Sequence, residues 1–326
     1  MLAQPPVTWL LPVKNGMPHV RETLASIANQ TYKNHTVLAR DDGSSDGTLD
    51  ELKRWIPARI PGRLFSGPSL GIGPGLAFLV EQAASDLCAR IDGDDVNLPQ
   101  RLERQVEFLL AHPQVGVLGS HVCIIDASGA ERDVWRYETA DSDIRWLMRY
   151  ACRFCHPSVM FRRSLVLRAG NYQPVLYEDG HLWNRMTYLT EMRNLPEVLV
   201  RYRRSSASVT GEVRDWTPVL RRIASAQAPI LFPGVADPTK ALDLWDASLP
   251  LKFAGNNSRI PVKLWHLRQL RNSATLLAGR CGKQADYFTE TESFCEQYYE
   301  LRRRLLRRWG AGPLLRVRDF FAATQA

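Results

Sequence analysis

The stretch RIDGDDVNLP, residues 90–99, decides how this 326-residue chain is read. It follows an apolar run and sets three carboxylates, Asp92, Asp94 and Asp95, within four positions. Like charges so close repel one another and raise one another's pKa. Such a turn calls for a counter-charge. A surface turn whose Asp94 or Asp95 caps the following helix is the plain alternative. Oxygen-only ligands suit hard cations, so magnesium or manganese, shared with a phosphate-bearing ligand, would answer the crowding.

Working outward, the first hundred residues alternate strand-like and helix-like segments. Strands are expected at 7–13, 36–40, 63–65 and 87–91. Helices are expected at 20–28, with Val20, Leu24 and Ile27 on one face, and at 48–55, 76–84 and 98–110. The last holds Pro99 in its first turn, a favoured place for proline. This alternation predicts an α/β fold, a mostly parallel sheet with helices on both faces. Ligands of such sheets bind beyond the carboxyl ends of the strands. That rule gathers residues 12–15, 41–46 and 92–95 at one rim.

Further on, 115–126 reads as a strand pair or one long bent strand, 156–161 as a strand, 178–188 as a helix and 198–203 as an edge strand. Beyond about Gly211 the character turns helical, at 245–249, 262–277 and 287–309. The expected division is a domain at 1–212 and a helical region at 213–326.

Composition is that of a globular protein, 45% apolar and 23% charged, with a net charge of +8. Much of that excess is local. Arg302, Arg303, Arg304, Arg307, Arg308, Arg316 and Arg318 crowd one C-terminal stretch. With Leu301, Leu305 and Trp309 spaced by four between them, the pattern fits a basic amphipathic helix docking on anionic lipid. A packed helix with a solvated basic face is the plainer reading of the same pattern. Nucleic acid is an alternative partner for the arginines, but they lack the interleaved aromatics of a base-stacking platform, so none is expected. The N-terminus lacks the form of a signal peptide, and no apolar run reaches about 18 residues. The expectation is a cytoplasmic protein with free thiols, peripheral at the inner face of the membrane if the tail docks. Cys152-Arg153-Phe154-Cys155-His156 spells the c-type haem pattern, but two partly buried thiols are the better account.

Other motifs narrow the chemistry. In RDDGSSDGT, residues 40–48, a turn and helix cap explain Ser45, Asp46 and Gly47 but not the pair Asp41-Asp42. A carboxylate at a strand's end suits a ribose or base. There is no P-loop, and GIGPGLAF does not complete G-x-G-x-x-G. A diphosphate bound here would therefore need a metal in place of a glycine cradle. Asp179 in YEDGHLW reads, on spacing alone, equally as a catalytic base or as a first-turn acid favoured by the helix dipole.

Taken in order, LLPVKNG, QTYKNHTVLARDDGSSDGT, ARIDGDDVNLPQRLERQVEFL, HPSVMFRRS, YEDGHLWNRM and NLPEVLVRYR give residues 5–210 a specific likeness. The chain resembles glycosyltransferase family 2, the inverting nucleotide-sugar transferases of the GT-A fold. The resemblance implies that Pro12, Val13 and Asn15 line the nucleotide pocket and that Asp42 contacts base or ribose. Asp92 and Asp94 would be the D-x-D pair for a divalent metal, manganese or magnesium, with Asp94 first as direct ligand and Asp92 also facing the nucleotide. Asp179 would be the catalytic base, and Glu178 and His156 pocket residues. The implied substrates are a nucleotide-diphosphate-sugar donor and a saccharide or lipid-linked acceptor, in surface polysaccharide or glycolipid synthesis. A catalytically silent nucleotide-sugar-binding module is the other reading.

The chain departs from the family in three places. Ser205 stands where a YRxH pattern carries His. The loop 69–76 lacks the basic residue or Asn often found there. LLRRW, residues 305–309, has Leu for the Gln of the processive synthases, which favours single additions.

Overall fold

The computed structural model describes residues 4–204 and, beyond them, 218, 221, 224–225, 232, 234–248, 263–280, 282, 284 and 292–308. The chain divides into two compact units, Met1–Ile144 with Cys152–Arg214, and Arg145–Ala151 with Asp215–Ala326.

The first unit is built on one mixed sheet. In chain order its elements are β1 (Val7–Val13), α1 (Val20–Ala28), β2 (His35–Asp41), α2 (Thr48–Trp55), β3 (Gly62–Ser66), α3 (Ile72–Gln82), β4 (Leu87–Arg90), β5 (Val96–Asn97), α4 (Arg101–Ala111), β6 (Val115–Ile125) and β7 (Glu131–Trp135). There follow α5 (Asp141–Leu147), whose residues from Arg145 on belong to the second unit, a 3₁₀ turn (His156–Ser158), β8 (Met160–Arg162), α6 (Arg163–Arg168), α7 (Glu178–Met186) and β9 (Glu191–Arg203). The spatial order is β3-β2-β1-β4-β8-β6-β9-β5, with β7 beside β6. β3, β2, β1 and β4 are mutually parallel, as are β6 and β9, whereas β8 runs antiparallel to both β4 and β6. This is the GT-A arrangement the resemblance implied.

Sequence periodicity explains why the sheet is covered on both sides. β1 is buried along its whole length. Val7, Trp9, Leu11 and Val13 point into one core with Val20, Leu24 and Ile27 of α1, Leu52 of α2 and Leu102, Val106 and Leu109 of α4. Leu10, equally buried, falls outside that cluster, as the two-residue period of a strand requires. α3 packs on β1 and β2 from that other side.

Several expected bounds shift. α3 begins at Ile72, because Gly73 and Gly75 are helical rather than loop residues. Pro99 lies before α4, not in its first turn, since Val96–Asn97 form a short strand with β9. The segment 115–126 is one strand, β6. His156–Ser158 is a 3₁₀ turn, so the strand expected at 156–161 shrinks to β8. β9 is 13 residues long and lies between β6 and β5, so it is not an edge.

The second unit is described mainly by α8 (Pro238–Ser248), α9 (Leu264–Arg280) and α10 (Glu292–Arg308). α10 packs on α8 and α9. Trp146 meets Phe294 edge-on at 5.0 Å, and Trp245 Nε1 donates to the Arg149 carbonyl at 2.7 Å. No helix among the described residues is long and apolar enough to cross a membrane.

Candidate active site

Parallel pairing of β1 with β2 and β4 sets the carboxyl ends of these strands side by side. The loops after them therefore share one rim, where ligands of such sheets bind. Two glycines let these loops touch. A β-carbon on Gly93 would lie 2.6 Å from Val13 Cγ2, and one on Gly16 2.8 Å from the same atom. Val13 is thus a buried wedge against which the Asp92–Asp95 turn rests. Asn15 takes up a left-handed backbone with φ 51°, a conformation Asn tolerates better than most residues. Its Oδ1 accepts the Ser45 N–H at 2.9 Å, and its own N–H donates to Ser44 Oγ at 2.9 Å. Asp46 accepts from Met17 N–H and from Thr48, tying the same two loops.

Asp42 is buried at the end of β2. Its carboxylate accepts from the Ser69 hydroxyl at 2.7 Å and from the Leu70 and Gly71 N–H groups at 2.8 and 3.0 Å, with Arg40 beside it at 3.4 Å. Burial opposes its charge, but these donors hold its pKa below the ordinary carboxylate value. The loop 69–71 thus gains its shape from Asp42, a partner the sequence did not reveal.

Asp92, Asp94 and Asp95 can each bring a carboxylate oxygen within 4.8 Å of the others. Burial, then the Asp92 charge, pushes the Asp94 carboxyl up to about 6. Burial together with Asp92 and Asp94 drives Asp95 well above the ordinary value. Asp95 does not cap α4, as one reading of the sequence had it, because the residue before that helix is Gln100. It is fully buried and accepts the Arg203 N–H at 2.7 Å, while its Oδ2 has no partner among the described residues. A buried carboxylate oxygen in that state needs a proton or a cation. An all-oxygen donor set with mutual repulsion fits a hard divalent cation.

A second cluster forms where the 3₁₀ turn meets α7. His156 Nδ1 lies 3.5 Å from Glu178 Oε1 and 4.0 Å from Asp179 Oδ2. Its Nε2 meets the Tyr172 hydroxyl at 3.0 Å. Burial, then the charge of Arg90, brings the imidazole down to about 3, so the ring is neutral near pH 7. Burial raises the pKa of Asp179, helped by Glu178 and opposed by His156, the Gly180 N–H and Arg90. Glu178 is raised by burial too. Asp179 does sit in the first turn of α7, so the dipole and the buried cluster act on the same carboxylate.

The structure therefore gathers the expected residues into two acid clusters and a loop pair at the ends of β1 and β2. Arginines supply what the sequence reading missed. Arg90 ends β4 and pairs with Asp92 at 2.5 Å. Arg203 donates to the Asp94 carbonyl at 2.8 Å and pairs with Glu22 at 2.6 Å. Arg101 is fully buried and donates to the carbonyls of Arg90, Pro157 and Val159, joining the two clusters' backbones. Their signal was present as basic residues inside RIDGDD, NLPQR and RYR. Ser205 lies outside the described residues. Cys152 and Cys155 carry free thiols, with Cys155 buried and Cys152 half-buried.

The family profile "Glycosyl transferase family 2" matches residues 8–168. The chain is 33% identical over 209 residues to the amylovoran biosynthesis glycosyltransferase AmsE of Erwinia amylovora, covering 62% of this chain and 77% of that one. It is 25% identical over 210 residues to the Escherichia coli UDP-Gal:alpha-D-GlcNAc-diphosphoundecaprenol beta-1,3-galactosyltransferase, covering 62% and 75%. In fold it is similar to S. aureus TarS 1-349, solved in complex with UDP-GlcNAc, with a TM-score of 0.62 and 16% identity over 94% of this chain and 92% of that one.

Proposed function

The chain belongs to glycosyltransferase family 2, and we propose that it moves a sugar from a nucleoside-diphosphate sugar to an acceptor hydroxyl with inversion, one addition at a time. The observation that carries this reading is the pair of acid clusters, Asp92-Asp94-Asp95 and Glu178-Asp179-His156, set at one end of the sheet.

The proposed division of labour follows from their surroundings. Asp179, half-buried with a raised pKa, accepts the acceptor's hydroxyl proton. The freed oxygen attacks the anomeric carbon as the bond to the diphosphate breaks on the opposite face. The transition state is oxocarbenium-like. Neutral His156, with Nε2 3.0 Å from the Tyr172 hydroxyl, faces the two carboxylates through Nδ1, 3.5 Å from Glu178 and 4.0 Å from Asp179. Pro12, Val13 and Asn15 form the floor of the nucleotide site, and Asp42 shapes its wall through the loop 69–71. Asp94 and Asp92 would hold a divalent cation, manganese or magnesium, which when bound offsets the charge of the departing diphosphate.

The acceptor we infer is a saccharide or lipid-linked saccharide of surface polysaccharide or glycolipid synthesis. This is in line with the activity named for the E. coli relative and the biosynthetic role named for the Erwinia relative. The test is a thermal-shift screen of nucleotide sugars with manganese, since a ligand of the native state raises its stability. A donor that stabilises wild type with manganese, and Asp94→Asn much less, fits the reading. A set of UDP-, GDP- and dTDP-sugars without effect on wild type would contradict it. NMR of the sugar first released from that donor should show the inverted anomer.

A further inference from the structure

Two stretches of the chain, residues 64–80 and 169–177, carry no charged side chain. The fold brings them together. A β-carbon on Gly73, in the first turn of α3, would lie 2.5 Å from the Gln173 carbonyl oxygen and 3.4 Å from Glu178 Cβ. Asn171 Nδ2 donates to the Ala77 carbonyl at 3.1 Å, tying the same two segments. Four large apolar side chains flank this contact, Leu70 and Ile72 from the first stretch, Val175 and Leu176 from the second, each 40–51% exposed. In the first unit only Leu110 matches them among the described residues. Their backbone is pinned. Asp42 holds the Leu70 and Gly71 N–H groups, the Val175 N–H donates to the Gln173 carbonyl at 2.8 Å, and Arg185 Nη2 donates to the Asn171 carbonyl at 2.7 Å. An apolar patch held in place and free of charge marks a binding surface.

We propose that Leu70, Ile72, Val175 and Leu176 form an apolar lip at the mouth of the site, where the hydrocarbon chain of a lipid-linked acceptor rests while its hydroxyl meets Asp179. The proposal rests on reading Asp179 as the base. The place of the patch selects its occupant. Leu70 gives its N–H to Asp42 on one wall, and Leu176 stands two residues before Glu178 and three before Asp179 on the other. A protein partner or second copy seated there permanently would cover the approach to both walls. An occupant that arrives with the acceptor and leaves with the product would not. The patch also lacks the charges that a headgroup or an anionic polymer would pair with, and at its edge Lys14 Nζ donates to Ser69 Oγ at 3.4 Å. An alkyl or prenyl chain, bound through burial of apolar surface, needs none.

Alkyl glucosides below their micelle concentrations are the probe, and saturation-transfer NMR on the full chain reads the contact without donor or turnover. Octyl β-D-glucoside should receive saturation along its chain, and methyl β-D-glucoside little. Affinity should rise about threefold or more from hexyl to octyl, because each buried methylene adds to binding. Ile72→Ser combined with Leu176→Ser should cut the octyl signal severalfold, whereas Leu110→Ser should leave it unchanged. All three side chains are exposed, so melting temperatures should hold. Serine also adds no charge beside Asp179. If the paired variant does not fold, Ile72→Ser alone should lower the signal about twofold.

An octyl signal equal in wild type and the lip variants, or lost equally in Leu110→Ser, would overturn the proposal as non-specific detergent contact. Self-association in sedimentation velocity that the paired variant abolishes would overturn it too, since a second copy would then cover the patch. The base is judged separately. Transfer retained by Asp179→Asn would sink that assignment and leave the octyl contact standing, while an unbound octyl chain would sink the lip and leave the base standing.

Discussion

At the scale of single residues, the D-x-D turn is governed by competition between proton and cation. Burial and Asp92 raise Asp94 to about 6 in the folded chain. A carboxyl whose folded pKa lies above its unfolded one binds its proton more tightly when folded. Without metal its contribution is therefore stabilising below the unfolded value and is lost as pH rises through about 6. Manganese should reverse this trend, stabilising the protein strongly at about pH 7.5 and little at about pH 5, where the proton competes. Melting curves with and without manganese across that range check it, and equal stabilisation at both ends would contradict it. Gly93 is legible at the same scale. A methyl group there must displace Val13, so Gly93→Ala should weaken manganese-dependent donor binding about tenfold or more while the chain still folds. Titration calorimetry with the screened donor measures it.

At the scale of elements, Arg101 shows why motif and structure are not separable. Its guanidinium caps the Arg90, Pro157 and Val159 carbonyls and Asn97 Oδ1, and lies over the Trp9 ring at 5.0 Å. Arg101→Met would leave several buried acceptors unpaired, each worth about 1–3 kcal/mol. A loss of about 3 kcal/mol or more is expected in the urea transition of the first unit. The alternation of β1, α1, β2 and α2 was legible because the apolar period switches cleanly between two and about 3.6 residues. β8 was misjudged because HPSVMF holds a proline-bearing turn before its strand. β9 was cut short because Glu191–Glu197 alternates burial weakly, while its pairing with β6 is a long-range fact. In the site, acids with family counterparts were found. The arginines that make them tolerable were not, since a lone basic residue carries no sign of what it will face.

At the scale of the whole molecule, the basic C-terminal stretch divides. Leu301 and Leu305 are buried, as is Arg302, while Arg303 is exposed, so the described part of the stretch behaves as a packed helix. Trp309 and the residues after it, with Arg316 and Arg318, lie outside the described residues. Membrane docking, as a proposal, rests on that segment. Deleting 309–326 should reduce co-sedimentation with anionic vesicles and leave donor binding intact, and unchanged sedimentation would refute the docking. Salt-dependent binding to a random oligonucleotide would speak for the nucleic-acid alternative. The central claim, transfer driven by Asp179 as base, is met most directly by Asp179→Asn. Product formation and donor affinity should be measured side by side, with the donor that stabilises wild type. The account predicts transfer lowered by about a hundredfold or more with affinity nearly unchanged. Turnover close to wild type in that variant would contradict it.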